Sequence, residues 1–109
     1  MYIVLGRFQP FHKGHAHLVQ EALSRGPTVI AIGSSEAEST MENPWSATER
    51  EKMIRAWLDG REAKFVHIPD INDPPNWVEH ATKLHGEGTL ITSDEQTKIL
   101  YESANFPVD

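Results

Sequence analysis

Gly6-Arg7-Phe8-Gln9-Pro10-Phe11-His12-Lys13-Gly14-His15 joins a strand to a helix and fills the join with hydrogen-bond donors. Upstream, Met1-Tyr2-Ile3-Val4-Leu5 is a short apolar run of strand character. Downstream, Leu18, Val19, Ala22 and Leu23 recur at helical spacing. Gly14 lets the backbone approach a ligand closely, and the N–H groups of the opening helical turn, unpaired within the helix, face any bound anion. His12 and His15 stand three apart, so a helical turn brings them to one side, where they can donate together. Two imidazoles, a lysine and a helix N-terminus suit a polyphosphate whose negative charge builds up as one group leaves. Two other readings compete with this one. The histidines at 12, 15 and 17 could mark a metal site, although neither cysteine nor a nearby acidic cluster accompanies them, and they could also be surface side chains of an ordinary turn.

Working outward, apolar runs and helical patterns alternate, which predicts a parallel sheet with crossover helices. Arg25-Gly26-Pro27 breaks the first helix, and Thr28-Val29-Ile30-Ala31-Ile32 reads as a buried second strand ended by Gly33. Ser34 to Thr40 is polar enough for a mobile loop. Ser46 and Glu49 form a capping box, preceded by Trp45 as a hydrophobic staple, for a helix with Met53, Ile54, Trp57 and Leu58 on its buried stripe. Asp59-Gly60 stops that helix, and Lys64-Phe65-Val66-His67-Ile68 is the third strand. A polar, proline-rich loop from Pro69 to Asn76 leads into a third helix beginning near Pro75 or Asn76. Gly88 to Thr92 supplies a fourth strand, Asp94 caps a fourth helix carrying Ile99, Leu100 and Ala104, and Phe106-Pro107-Val108 starts a fifth strand. The expectation is an α/β, Rossmann-like three-layer sandwich with strand order 3-2-1-4-5 and right-handed crossovers, its ligand at the C-terminal edge of the sheet.

With 109 residues, 39% of them hydrophobic, residues 1–109 amount to one domain with one modest core. The net charge of −6, with ten Lys and Arg, argues against a nucleic-acid partner. Without cysteine, an apolar leader or a long apolar run, neither a disulfide framework nor a membrane partner is expected, and the chain reads as a soluble cytoplasmic protein. Neither a Walker A sequence nor a G-x-G-x-x-G fingerprint is present.

The decapeptide resembles the HxGH signature of the nucleotidyltransferase superfamily, and its longer form is similar to the archaeal-type nicotinamide-nucleotide adenylyltransferases. Ile32-Gly33-Ser34, the run from Asn43-Pro44-Trp45-Ser46 to Arg50, Asp70-Ile71 and Trp77-Val78-Glu79-His80 follow in the order and at the spacing of that family. The resemblance implies transfer of AMP from ATP to NMN, giving NAD and pyrophosphate, with Mg²⁺ carried mainly by the ATP phosphates and no metal held by the protein. His12 and His15 would be catalytic, with Gly6, Arg7, Phe8, Gln9, Gly14, Gly33 and Ser34 around the nucleotide phosphates. Trp77 would stack on nicotinamide and Asp70 would accept from its amide; a core place for Trp77 and a capping role for Asp70 remain open. Arg50 has two readings, reaching the site from the second helix or forming a surface ion pair. His67, His80 and His85 show no usable partner spacing.

Two departures stand out. The family continues into a second phosphate-gripping signature, ISxTxxR, which nothing after Thr92 matches, and Glu42 occupies a position that is often basic. The competing functions are therefore a non-catalytic or truncated nucleotide-binding module, and a transferase for another phosphate acceptor such as FMN, phosphopantetheine or glycerol phosphate. A homo-oligomer that completes the site between subunits is a further expectation.

Overall fold

Four parallel strands carry the site, and the computed structural model describes residues 1–8, 10–33, 45–69 and 76–109. The elements run β1 (Tyr2–Gly6), α1 (Lys13–Arg25), β2 (Thr28–Gly33), α2 (Ala47–Leu58), β3 (Lys64–Ile68), α3 (Trp77–His85), β4 (Thr89–Ile91) and α4 (Glu95–Ser103). The sheet order is β3-β2-β1-β4, with all pairings parallel. The chain reverses direction across the sheet between β1 and β4, which places the switch point beside the β1–α1 junction.

The strand pleat explains why the central strands are apolar on both faces. Successive side chains alternate, so Val4, Ile30, Ile32 and Ile91 meet Val19, Ala22, Ile54 and Leu58 of α1 and α2. Their neighbours Ile3, Val29, Ala31 and Leu90 meet Val78 and Ala81 of α3 and Tyr101 of α4. Burial of each large aliphatic side chain contributes about 1.5 to 3 kcal/mol. The expected stripes of α1 and α2 are borne out, with Val19, Ala22, Ile54 and Leu58 buried and Leu18, Leu23, Met53 and Trp57 half-buried.

Two expectations change at the far edge. On α4, Ile99 and Leu100 are 55% and 37% exposed, and the buried residue is Tyr101. Its hydroxyl meets His85, so a polar bond to α3, invisible to an apolar-period argument, sets the rotation of the helix. The fifth strand is reduced to a single parallel bridge between Leu90 and Val108. Pro107 has no N–H to extend the ladder, although its carbonyl accepts from Leu90 and the Asp109 amide donates back to the Leu90 carbonyl. Asp109 also pairs with Arg25, which ties this edge to the end of α1. Among the described residues no helix is long and apolar enough to cross a membrane.

Candidate functional site

The β1–α1 junction is built around a reciprocal cap made from two imidazoles. His12 is the N-cap of α1; its Nδ1 accepts from the Gly14 amide at 3.1 Å, and His15 Nδ1 accepts from the His12 amide at 3.2 Å. An amide N–H only donates, so Nδ1 of each ring is the unprotonated nitrogen and Nε2 carries the ring proton. The rings stack with centroids 3.7 Å apart. This corrects one expectation: the His12 and Gly14 amides do not wait for an anion, because the imidazoles have taken them. What the turn offers instead is the Nε2–H of each ring, that of His15 shared with the Pro10 carbonyl.

Gly14 is required for this arrangement. A Cβ there would stand 2.9 Å from His12 Cε1, a separation that would push the imidazole off the amide it caps. Gly6 answers a similar demand, since a Cβ would meet the Phe8 ring at 3.0 Å. Phe8 holds a left-handed φ of 55°, which costs a bulky residue on the order of 1 to 3 kcal/mol. Its ring is 1% exposed and stands edge-on to His15 at 4.8 Å. The Phe8 side chain is thus a buried support for His15 and not a surface for nucleotide.

His15 is half-buried, and desolvation followed by the nearby charge of His12 lowers its pKa to about 4 against a partly opposing bond with the Pro10 carbonyl. At neutral pH it is an uncharged donor.

His15 opens onto a cleft of about 400 Å³ at the C-terminal edge of the sheet. One wall consists of Leu5 and Gly6 at the end of β1, Arg7 just after it, Leu18 of α1, and Gly33 at the end of β2; the other consists of Trp77 at the start of α3, with Thr92, Ser93 and Asp94 between β4 and α4 and Thr97 in the first turn of α4. Asp94, expected as a cap, also lines the cleft. It does cap α4 by accepting from the Thr97 amide at 3.1 Å, and the bonds from Thr97 hold its carboxyl below the usual carboxylate range. Trp77 packs on the second core cluster, edge-on to Tyr101 at 6.3 Å, and also lines the cleft. Gln9, Ser34 and Asp70, like Asn43, Pro44 and Glu42, lie outside the described residues.

Arg50 is not the surface side chain of one of its readings, and it reaches the site from α2 through the backbone. It is fully buried, and its Nη1 donates to the Arg7 carbonyl at 2.8 Å and the Gly33 carbonyl at 2.7 Å. Nε donates to the Ser46 carbonyl at 3.2 Å. Both bonds of the Ser46–Glu49 capping box are present, so the start of α2 is fixed and its first-turn arginine pins the ends of β1 and β2 together. The three histidines without a usable spacing also find partners: His67 meets Glu51 at 2.8 Å, His80 the Pro69 carbonyl at 2.9 Å, and His85 the Tyr101 hydroxyl at 2.9 Å.

A larger open hollow of about 780 Å³ lies at the opposite edge, lined by Met1, Thr28, Arg55, Arg61 and Lys64 among others. Size does not make it the better site. Arg55 is engaged by Glu51 and the Phe65 ring, and Arg61 by the carbonyls of Leu58 and Trp57. Among the described residues no group of His, Cys, Asp and Glu is arranged to hold a metal ion.

Residues 3–103 match the cytidylyltransferase-like family model. The chain is 37% identical to a nicotinamide-nucleotide adenylyltransferase of Ignicoccus hospitalis, over 94% of this chain and 64% of the relative. It is 40% identical to the enzyme of that name from Thermoplasma acidophilum, over 96% of this chain and 62% of the relative. A nicotinamide/nicotinic acid mononucleotide adenylyltransferase of Acinetobacter baylyi is 40% identical over 75% of this chain and 46% of the relative. The chain therefore spans less than two thirds of the length of these curated relatives. Among solved structures, the bifunctional NMN adenylyltransferase/ADP ribose pyrophosphatase of Francisella tularensis shares the fold with a TM-score of 0.78 and 23% identity, over 99% of this chain and 35% of that one.

Proposed function

Because the chain belongs to the cytidylyltransferase-like nucleotidyltransferase family, we propose that it transfers AMP from ATP to NMN, forming NAD and releasing pyrophosphate. The observation that carries this reading is the stacked His12–His15 pair, whose Nδ1 atoms are occupied by backbone amides, at the head of a cleft that Arg7 and Trp77 also line.

In this reaction an oxygen of the NMN phosphate attacks the α-phosphorus of ATP, the bond to the bridging oxygen breaks, and pyrophosphate departs with the electron pair. Positioning and charge stabilisation account for nearly all the catalysis such a transfer needs. His15, a neutral donor with its ring fixed from behind by Phe8, turns its Nε2–H from the Pro10 carbonyl to phosphate oxygen as charge develops there. His12 supplies the second donor. Arg7 holds phosphate with a planar cation of several donors. Gly6, Gly14 and Gly33 keep backbone close to the nucleotide, and the same reading assigns Gln9 and Ser34 to its phosphates. Trp77 offers a π face to the electron-poor nicotinamide ring, and Asp70 accepts from its amide.

Mg²⁺ enters with ATP. Among the described residues the cleft presents Arg7, His15, Thr92, Ser93 and Thr97, which donate to oxygen, with Asp94 as the one carboxylate; this donor set fits a metal carried by phosphates better than a protein cage. Since ATP is an intracellular metabolite, the enzyme would work in the cytoplasm, and subunit assembly would cover whatever part of the phosphate site this chain leaves open.

The test is pyrophosphate release from ATP, NMN and Mg²⁺ over a range of protein concentrations, with His15→Ala as the blank. Release that needs NMN and His15 supports the transferase, and specific activity that rises with concentration supports a site shared between subunits. A second reading is a module that binds nucleotide without turning it over. ATP binding without pyrophosphate release would favour it. Trp77→Ala separates acceptors: unchanged NMN affinity would point to FMN, phosphopantetheine or glycerol phosphate.

A further inference from the structure

The nicotinamide side of the cleft depends on where α3 begins, and one long-range bond fixes that start. His80 lies three residues after Trp77 on α3, on the same side of the helix one turn along. Its Nε2 stands 2.9 Å from the Pro69 carbonyl oxygen, with the imidazole half-buried. A carbonyl only accepts, so Nε2 carries the proton and donates. Pro69 directly follows Ile68, the fully buried last residue of β3. The bond therefore ties the C-terminal end of the edge strand to the first turn of the helix that brings Trp77 into the cleft. The residue after Pro69 in sequence is Asp70, the other side chain read as an acceptor contact.

Nothing else about His80 explains a histidine there. Packing of α3 on the sheet runs through Val78 and Ala81, which are buried in the second core cluster, and an aliphatic residue would fill a half-buried helical position as well. A donor of fixed length is the property the site uses. We propose that His80 is a positioning residue for the acceptor: by holding the end of β3, it sets the depth and angle at which Trp77 meets the nicotinamide ring. The inference rests on the adenylyltransferase reading. It assigns His80 to NMN alone, because the Arg7, His12 and His15 side of the cleft is fixed by other bonds.

Four versions of the protein test this: wild type, His80→Met, His80→Asn and His80→Gln. Methionine cannot donate, the asparagine amide is too short to reach where Nε2 stands, and the glutamine amide reaches it. Steady-state KM for each substrate is measured beside NMN binding by calorimetry. Loss of one positioned hydrogen bond should raise the NMN KM about tenfold in His80→Met and His80→Asn. The ATP KM should stay within about twofold and His80→Gln should recover most of the loss. An NMN KM that does not move in the non-donating variants overturns the inference. So does a parallel rise for both substrates with a lowered melting temperature that glutamine fails to rescue, which would make the bond merely structural. A wild type that neither binds NMN nor releases pyrophosphate brings down the adenylyltransferase reading and this inference with it. Active wild type with unaltered variants removes the inference alone.

Discussion

The two walls of the cleft are assembled over very different distances along the chain. The donor pair on the His15 wall is made by bonds between residues two and three apart, His12 with Gly14 and His12 with His15. The Trp77 wall is set by bonds that bridge 11 residues, from His80 to Pro69, and 16 residues, from His85 to Tyr101. Arg50 belongs to the second style of construction although it serves the first wall, since its bonds to Gly33 and Arg7 span 17 and 43 residues. A short-range cap forms as soon as the helix does. A long-range tie forms only when the sheet is complete, so its loss should weaken the fold, and the site with it where the tie reaches a residue of the cleft.

His15→Ala should have the largest effect and should act chiefly on turnover. Loss of a donor aimed at developing phosphate charge lowers kcat by about 10²- to 10³-fold, while thermal denaturation and circular dichroism should show a folded protein. A His15→Ala variant that unfolds would mean that the cap carries stability which the comparison assigns to the long-range bonds. Arg50→Met comes next and should do both kinds of damage. It leaves the Arg7 and Gly33 carbonyls without their buried donor, at a cost of about 3 kcal/mol in unfolding free energy by urea titration. Turnover should fall with it because Arg7 loses its anchor. Arg50→Met with full stability and reduced activity would instead make Arg50 part of the His15 wall in function as well as in space.

Legibility in the sequence follows the same division. The strands, the caps at Ser46 and Asp94 and the stop at Asp59-Gly60 are set by local propensity and period, and each was readable from a handful of neighbouring residues. His12 and His15 were readable for the same reason, although which nitrogen faced the amides was not. Arg50 was unreadable because an arginine one turn into a polar helix has the look of a solvated side chain. Only the convergence of two strand ends gives it carbonyls to bind. On α4 the apolar period pointed to Ile99 and Leu100, whereas the helix turned to satisfy a hydroxyl. His80 and His85 offered no pattern because a histidine's partner can be a backbone carbonyl or a tyrosine far away in sequence, and neither leaves a spacing. Gln9, Ser34 and Asp70 lie outside the described residues.

Gly14→Ala probes the local wall at lower amplitude. The added methyl meets His12 Cε1 at 2.9 Å, so the imidazole must leave the amide, and the lost cap should cost about 1 kcal/mol. Turnover should fall further than stability, because His12 and His15 hold each other. Acid offers a second probe. The folded state keeps His15 neutral down to about pH 4, whereas the unfolded chain takes up its proton near 6.5. The unfolded state is therefore favoured progressively as pH falls from 6.5 towards 4, and the His15 contribution to stability is fully present only above that window. Buried His85, also depressed by desolvation, adds in the same direction. The melting temperature should fall across this range and fall less steeply in His15→Ala.

Tyr101→Phe should have the smallest effect on activity and discriminates most finely between the walls. His85 Nδ1 lies 2.6 Å from the Gly86 carbonyl and must donate to it, so Nε2 is the acceptor and the Tyr101 hydroxyl donates to it at 2.9 Å. Phenylalanine keeps the ring that meets Trp77 edge-on and removes only the donor, leaving one buried lone pair unmatched. The expected loss is about 1 to 2 kcal/mol in unfolding free energy, with KM for NMN unchanged. Because the ring stays, a rise in that KM would trace to rotation of α4 carried through to Trp77, and the His85–Tyr101 bond would then belong to the acceptor wall along with His80. If stability alone moves, the polar bond orients α4 and the site begins at α3.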